Sequence, residues 1–208
     1  LLCTYGGVMS LVSYINTCKE IRNILDYLRV NSESLTIEEI RKLYIRYLYL
    51  STKVSTNNPK YKDFDMDYAG GNCYCYALGF LTPEEFNIPY HRITSRNMSH
   101  NIGFISGNVT DIASKEEIVD NFLLDLDCLG IKHFETDVND KNRHGGYKVS
   151  LYNCYDDFHF SRQNKDGSWS QKIGYTSTIL KCSDPLDNLY YRYITTFEIV
   201  KPVVRRLV

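Results

Sequence analysis

The sequence predicts an α+β fold in which helices come first and an antiparallel sheet follows. Apolar residues recur at helical spacing between Tyr14 and Val30, which predicts a first helix. Thr36 precedes Glu39 by three residues in a capping box, which predicts the start of a second helix. Later in the chain, short runs of alternating apolar and polar residues are separated by turn residues, as in strands. Helices followed by strands are typical of the α+β class.

Two further helices and four strands complete the prediction. A short apolar helix begins at Cys73, directly after Gly70-Gly71-Asn72. A longer helix runs from Ser114 to Leu129, with Ser114 as its N-cap and Gly130 ending it. A four-residue hairpin turn at Asn164 to Gly167 joins two of the strands. The predicted strands are Tyr147 to Tyr152, Asp157 to Gln163, Ser168 to Gly174 and Tyr193 to Val200.

The chain divides into two parts at a polar stretch. Residues Ser51 to Asp67 contain Asn57-Asn58-Pro59 and predict a loop or linker. We therefore expect a helical lead-in over residues 1–53 and a catalytic domain over residues 67–208. Pro83 to Pro89 predicts a turn within that domain.

The composition is that of a globular protein. The chain has 208 residues, of which 43% are hydrophobic and 24% are charged, which is too apolar for a disordered chain. The net charge of -1 provides no overall field for nucleic acid or an anionic membrane. No apolar run has the length of a membrane span, and no signal peptide is evident. We expect no nucleic-acid partner and no membrane span.

Seven cysteines are present, and an odd number does not suit a secreted disulfide framework. Cys73 and Cys75 are separated by one residue, so neither the zinc-knuckle nor the thioredoxin spacing occurs. A zinc site formed by these two cysteines and His159 would be strained, and we expect no metal or cofactor. The context of Cys128, Cys154 and Cys182 predicts small buried side chains. The chain is thus expected to work where thiols stay reduced.

Cys73 is the candidate nucleophile. Of the seven cysteines, it is the one at a glycine-led helix start, where free N–H groups and the positive end of the helix dipole favour both a thiolate and an oxyanion. We expect a lowered thiol pKa and a backbone that the two glycines open to a substrate. A buried helix-start cysteine without a catalytic role is the alternative.

His159 is the candidate base. It lies in an alternating strand between Phe158 and Phe160, so it should point away from the face that the two phenylalanines occupy and toward the start of the Cys73 helix. A strand imidazole facing a helix-start cysteine is the arrangement that a Cys–His pair requires. We expect the ring within about 4 Å of the sulfur. His100 and His144, both in polar loops, are the other candidates.

A third group should orient the imidazole. The hairpin turn places Gln171 beside His159, where its amide oxygen could accept the Nδ1 proton; Asp157 and Asp184 compete for this role. We place Asn72, Cys73 and Trp169 along the oxyanion hole and substrate cleft. The motifs of zinc proteases, nucleotide-binding loops, serine hydrolases and dinucleotide-binding folds are not present.

The two segments together carry a resemblance. Asn72-Cys73-Tyr74-Cys75-Tyr76-Ala77-Leu78 and the later block from Asp157 to Ser170 resemble a group of bacterial proteins with an Asn-Cys-aromatic-x-Tyr-Ala-Leu block and an Asp-Phe-His-aromatic-x-Arg-Gln block. In layout these are similar to papain-like cell-wall amidases and peptidases, and the resemblance covers residues 72–174. It implies a papain-like catalytic domain. Where that pattern has Trp-Ser-His-Lys, this chain has Gln171.

A second resemblance lies at the start of the chain. Residues Leu2 to Ser10 are similar to the closing segment of PAAR-like spike-tip domains, which carry effectors on contractile injection machines. This resemblance implies a toxin made in a bacterial cytoplasm and delivered by such a machine, acting in a reducing compartment or on the cell wall. The machine's spike and a cognate immunity protein would be partners, and the full gene would encode a spike-tip domain upstream.

The sequence thus predicts a cysteine hydrolase that attacks an amide bond in peptidoglycan or in a host protein. An acyltransferase or a deamidase could use the same pair. A non-catalytic binding module in which Cys73 is structural is the alternative from another class.

Overall fold

The computed structural model describes residues 11–31, 33–63, 65–82, 101–108, 114–154, 157–174, 178–186 and 190–202. The helices are α1 (Leu11–Asn31), α2 (Ile37–Val54), α3 (Cys73–Leu78) and α4 (Lys115–Cys128), with a 3-10 turn at Met66–Tyr68. The strands are β1 (Lys132–Thr136), β2 (Tyr147–Cys154), β3 (Asp157–Gln163), β4 (Trp169–Lys172), β5 (Ile179–Cys182) and β6 (Arg192–Val200).

The α+β prediction is confirmed, the predicted capping box at Thr36 forms, and the predicted N-cap Ser114 also forms one. Thr36 accepts the N–H of Glu39 while the Glu39 carboxylate accepts the N–H of Thr36, and Ser114 and Glu117 do the same at α4. These reciprocal bonds satisfy backbone donors that the first helical turn leaves without partners. The helix starts follow from local sequence alone.

The described strands form one antiparallel sheet in the order β1-β6-β2-β3-β4-β5. β3 pairs with β2 from Asp157 to Arg162, all but the last of its residues. Its pairing with β4 covers a shorter stretch and ends at Ser161 and Gln171. β3 and β4 therefore separate at the end of β3 that carries His159. This separation sets the geometry of the candidate site.

One face of the sheet is apolar and carries α3 and α4. The ring of Phe160 lies 5.3 Å from that of Tyr74 on α3 and 5.4 Å from that of Phe122 on α4. Phe197 on β6 packs on Phe122 from the same face of the sheet, with ring centroids 5.9 Å apart. Alternation of side chains along the strands places these aromatics together and sends their neighbours to the other face.

The opposite face is polar, although many of its side chains are buried. Ser150 and Thr196 share a hydrogen bond of 2.7 Å, and Tyr152 and Ser161 share one of 2.8 Å. The Tyr152 hydroxyl also donates to the carbonyl of Pro185. Hydroxyl pairs satisfy one another here, as buried polar groups require. His159 lies on this face beside Tyr152, its pairing partner on β2.

The helical lead-in shares its core with the rest of the chain. Buried residues of α1 and α2 belong to the same apolar cluster as α3, α4 and the sheet. The Tyr47 hydroxyl donates to the Leu81 carbonyl at 2.7 Å, and the Leu81 N–H donates to Ser51. A boundary between residues 53 and 67 stays a prediction, and one core spans both sides of it.

The described cysteines are all free thiols. Cys128 is exposed and Cys154 and Cys182 are half-buried, so the prediction that these three are buried is wrong for Cys128. Within the described ranges, no cluster of three or more His, Cys, Asp or Glu side chains could hold a metal ion. Over the same residues, no helix is long and apolar enough to cross a membrane. The resemblance at residues 2–10 and the turn at residues 83–89 lie outside the described residues.

Candidate functional site

α3 begins where the sequence predicts, but the glycines before it serve packing within the chain. A Cβ on Gly71 would collide with the Thr82 side chain and lie 2.8 Å from the Cys75 Cβ. The Gly70 N–H donates to the Thr82 carbonyl at 2.7 Å. The expectation that these glycines open the backbone to a substrate is wrong, because the space is filled by the segment that follows α3.

The other end of α3 is held by three buried side chains. The Arg162 guanidinium donates to the Tyr76 carbonyl at 2.9 Å and lies 3.8 Å over the Tyr76 ring. Tyr147 and Lys201 donate to the next two carbonyls, those of Ala77 and Leu78. The last carbonyls of a helix need partners outside it, and all three are supplied from β2, β3 and the residue after β6.

The Cys73 thiol lies at the gap between β3 and β4. The backbone N–H of Phe160 lowers the pKa of this thiol and so lies near the sulfur, and β4 does not pair with Phe160. The body of α3 packs on the face of Phe160, so the expectation that His159 shares the face of the helix is wrong. The thiol reaches the backbone of β3 through the gap, one residue from His159.

Burial controls the ionisation of the thiol. Cys73 is 5% exposed, and this burial raises its pKa from the usual value near 9 to about 12. The nearby Asp157 carboxylate raises the pKa further, while N–H donors from Phe160 and Tyr74 and the charge of Lys172 lower it. The lowered pKa expected of a helix-start thiol is not found. α3 has only six residues, and the Asn72 side chain takes one of its N–H groups.

His159 is bound by Gln171, as the hairpin register predicts. Its Nε2 lies 2.6 Å from the Gln171 Oε1. The expectation that Nδ1 makes this bond is wrong. Burial lowers the pKa of His159, while the bond to Gln171 and the charge of Asp157 raise it. The ring is therefore neutral at pH 7, and because an amide oxygen only accepts, its proton is on Nε2.

Tyr191 covers the imidazole. Its ring stacks on that of His159 with centroids 4.8 Å apart and planes at 23°. Its hydroxyl donates to Asp157 at 3.0 Å. Burial, Asp157 and Cys73 all raise the pKa of Tyr191, which places Tyr191 near the thiol as well as the ring. Cys73, His159, Asp157 and Tyr191 thus form one cluster.

The cluster is closed in this structure. His159, like Cys73, is 5% exposed. The hydrogen bond at the ring goes to Gln171, and the backbone group that acts on the thiol is the Phe160 N–H. The separation of about 4 Å between sulfur and ring stays a prediction.

The remaining predicted site residues fall into two groups. Asn72 is buried and caps α3 by accepting the Cys75 N–H at 3.1 Å, and Trp169 is buried on β4, so neither lines an open cleft. Asp184 accepts the N–H of Leu186. His144 is exposed, and its ring stacks on that of Phe134 with centroids 3.6 Å apart; Phe134 is on the edge strand β1, which β6 and β2 separate from β3. His100 lies outside the described residues.

A cavity of about 320 Å³ lies elsewhere. It is lined by amide side chains and two lysines near the hairpin turn, including Asn142, Gln163 and Lys165. β3 carries Gln163 at its last position and His159 near its first, so the cavity and the cluster are at opposite ends of this strand. The geometry favours the cluster as the chemical site, since the cavity contains none of its residues.

Sequence reasoning missed Tyr191 and Lys172. Tyr191 stands before β6 in a pair of tyrosines, with no motif to mark it. Lys172 is fully buried, and its Nζ donates to the carbonyls of Gly71 and Gly174. Strand alternation could have identified Lys172, because it places Lys172 on the same face of β4 as Ser170. The Ser170 hydroxyl forms a hydrogen bond with the Tyr76 hydroxyl on α3, so this face of β4 packs against α3.

No protein-family model, no curated protein and no solved structure matches this chain. The class of the protein therefore rests on the geometry of its own residues. That geometry is a buried thiol at a gap in a sheet, with an amide-bound imidazole one residue along the strand from the thiol's N–H donor.

Proposed function

We propose that this chain is a cysteine hydrolase that cleaves an amide bond in a peptide, a protein or peptidoglycan. Cys73 is the nucleophile, His159 the general base and Gln171 the group that orients the base. The proposal is carried by the 2.6 Å bond between His159 Nε2 and Gln171 Oε1. With Nε2 protonated, Nδ1 has the lone pair that a thiol proton needs. A cysteine, a histidine and a side-chain amide are the set used by papain-like proteases.

The resting pair is neutral rather than a thiolate with an imidazolium. Burial raises the pKa of Cys73 to about 12 and lowers the pKa of His159, so each group favours its uncharged form. The thiol proton must then move to His159 as the sulfur attacks. This is general-base catalysis, and it differs from the lowered thiol pKa that the sequence predicts.

The reaction proceeds in two halves. Cys73 Sγ attacks the carbonyl carbon, its proton passes to His159 Nδ1, and the carbonyl electrons move to oxygen. The oxyanion collapses, the C–N bond breaks, and the leaving amine takes the proton from His159, which leaves a thioester on Cys73. Water then adds to the thioester and gives a proton to His159. The C–S bond breaks, the carboxylic acid leaves, and the proton returns to the thiol.

The Tyr191 ring over His159 adds a conformational step before the substrate can bind. Tyr191 stacks on the face of His159 and is tied to Asp157. A substrate carbonyl must reach the sulfur beside this ring, so Tyr191 has to move before attack. Closing of a site excludes water from the reacting groups, and such movements set the rate of many enzymes.

A structural role for Cys73 in a non-catalytic module is the second candidate. One observation favours it: the thiol is buried, with a pKa raised to about 12. Buried cysteines with ordinary packing are inert small apolar residues. The hydrogen bond between His159 and Gln171 would then serve only to satisfy two buried polar groups.

Mass spectrometry of candidate substrates separates these functions. Muropeptides and a protein lysate are incubated with the wild type and with Cys73→Ala. Hydrolysis adds water across a peptide bond, deamidation replaces a side-chain amide with an acid, and acyl transfer joins two fragments. We expect hydrolysis products with the wild type alone. Equal products with Cys73→Ala, or none from any candidate substrate with the wild type, would favour the structural role.

The delivered-effector hypothesis is a separate proposal. It rests on the resemblance of residues 2–10 to a spike-tip segment, with the spike and an immunity protein as partners. Reading the gene upstream of Leu1 tests it. We expect a spike-tip domain there, and a gene that starts within a few residues of Leu1 would contradict delivery by this route.

A further inference from the structure

Lys172 is a buried lysine that acts on the Cys73 thiol and has no ion pair with a carboxylate among the described residues. Lys172 is fully buried on β4, and its ammonium group donates to the carbonyls of Gly71 and Gly174. Lysines are rarely buried unless a counter-ion accompanies them. Among the ion pairs between described residues, none includes Lys172. The positive charge therefore requires another source of compensation.

Two cysteines of α3 are the ionisable groups that act on this lysine. Burial lowers the pKa of Lys172 to about 8, and Cys75 and Cys73 act against this shift. In the other direction, the charge of Lys172 lowers the pKa of both thiols. At Cys73 the carboxylate of Asp157 on β3 has the opposite effect and raises the thiol pKa. Cys73 also raises the pKa of Tyr191, which lies in the segment before β6. His159 follows Asp157 on β3, and Asp157 acts on the pKa of both Cys73 and His159.

The hydrogen bond to Gly71 couples the lysine to the backbone of the nucleophile. Gly71 stands two residues before Cys73, and its Cα packs against Cys75 and Thr82 so closely that no side chain fits. A donor fixed on the Gly71 carbonyl therefore fixes the turn that presents the thiol. Lys172 acts both through charge and through this contact.

We propose that Lys172 is a positioning residue of the thiol site: its ammonium group holds the turn before Cys73 and supplies the positive charge that stabilises the sulfur as it ionises. The inference rests on the proposed thiol chemistry. It explains how a sulfur in this buried place can become an anion at all, since an opposite charge nearby favours the charged form of an acid. At pH 7 the lysine is mostly protonated and can act in this way.

The chain offers a matched control at the other end of α3. Lys201 is also buried, and its Nζ donates to a backbone carbonyl, that of Leu78, at 3.2 Å. Burial lowers its pKa well below the usual value. It is not among the main influences on the pKa of either thiol of α3. A purely structural role for buried lysines predicts similar behaviour at both ends, whereas a role in ionisation predicts a difference.

The test measures the rate at which iodoacetamide alkylates Cys73 in the native protein at pH 7, followed by mass spectrometry of the Cys73 peptide. The variants are Lys172→Met, Lys172→Gln and Lys201→Met, and the free energy of unfolding is measured for each. Gln can still donate to the Gly71 carbonyl but carries no charge. Both Lys172 variants should be alkylated about tenfold more slowly than the wild type, because loss of a nearby opposite charge raises a thiol pKa by about one unit or more. Lys201→Met should stay within about twofold, since charge acts locally.

Each other outcome decides against the inference. Equal slowing in the Lys201 variant would show a general loss of structure. A wild-type alkylation rate in Lys172→Gln would show that the hydrogen bond matters and the charge does not. Failure of both Lys172 variants to fold would make the lysine a structural cation, and a wild-type Cys73 that is never alkylated would leave no ionised thiol to stabilise. The alkylation rate is independent of turnover, so the inference can hold even if Cys73→Ala shows that the proposed hydrolysis does not occur.

Discussion

The two ends of α3 are built differently although both are buried. At the C-terminal end, Tyr147, Arg162 and Lys201 donate to three consecutive carbonyls. At the N-terminal end, the cap is one neutral amide, Asn72, and the nearby lysine binds a carbonyl that precedes the helix. Each of the last three carbonyls of α3 thus has a side-chain donor, while the first residue of the helix is the Cys73 thiol.

This difference separates anchoring from chemistry. A helix of six residues is too short to be stable alone, so its position must come from tertiary contacts. The side-chain donors to its carbonyls lie at the end away from the sulfur, and the Tyr74 ring packs on Phe160 beside the thiol. The thiol end has the two charged groups that affect its protonation, Lys172 and Asp157. Mutations at the two ends should therefore change different properties.

The largest effect is expected at the thiol end. Cys73→Ala removes the nucleophile and should lower turnover at least about 1,000-fold, because no other group can form the thioester. The free energy of unfolding should change by about 1 kcal/mol or less, since one sulfur atom is lost. Turnover is measured on the substrate identified by mass spectrometry, and stability by urea denaturation.

Cys75→Ala is the matched control, since it makes the same change two residues along α3. It should keep turnover within about tenfold of the wild type, because the Cys75 side chain packs against Gly71 and Phe160 is not among the groups that act on its thiol. Similar loss in both variants would contradict the assignment of the nucleophile.

The next effect is expected at the anchored end and concerns stability. Arg162→Ala removes the donor to the Tyr76 carbonyl and the cation over the Tyr76 ring. The free energy of unfolding should fall by about 3 kcal/mol, through a cavity and an unsatisfied buried carbonyl. Urea denaturation measures this loss. Arg192→Ala, at an exposed position on β6, should stay within about 0.5 kcal/mol. Equal stability of the two variants would remove the distinction between the ends.

A smaller effect is expected at Gln171. It orients the imidazole without moving a proton, so Gln171→Ala should lower turnover about tenfold. Gln163→Ala is the control, because this amide lies on β3 at the opposite end and accepts a hydrogen bond from Asn142. Steady-state kinetics on both variants test the assignment. A Gln171→Ala enzyme with wild-type turnover would leave the orienting role without support.

The smallest effect concerns pH. Burial lowers the pKa of His159 below its usual value of 6.5. The neutral base is therefore present at pH 6.5, and activity is lost only as pH falls through the lowered pKa and the ring takes up a proton. A profile of kcat/KM against pH should show its acid limb below pH 6.5. Because Gln171 raises the pKa of His159, Gln171→Ala should move this limb to still lower pH. A limb above pH 6.5 would contradict a buried neutral base.

The sequence predicts the centre of the fold better than its edges. β3 has the predicted bounds because Phe158 and Phe160 alternate with polar residues in a strand with neighbours on both sides. β1 and β5 were not predicted. They are the two edge strands, and their half-exposed residues show no alternation to detect. β5 is fixed instead by a contact distant in sequence, the N–H of Ile179 on the carbonyl of Asp63.

The part of the candidate site that can be predicted from the sequence is the part that strand register determines. The turn before β4 fixes the register, and register alone brings Gln171 to His159. Tyr191 is 32 residues along the chain from His159 (191 − 159), and no local pattern encodes the contact of its ring with the imidazole. The buried lysines have no local signal either, since lysine is ordinarily exposed. The raised pKa of Cys73 follows from burial, which the helix-start pattern does not reveal.

The complete burial of α3 has a consequence for motion. All six of its residues are buried, and side chains of other elements hold its C-terminal carbonyls. Amide protons in such a segment exchange with solvent only when the whole domain opens, whereas those near a movable cover exchange by local opening. Deuterium uptake at α3 should therefore report global stability. The amides around Tyr191 should exchange much earlier, at a rate set by uncovering of the imidazole.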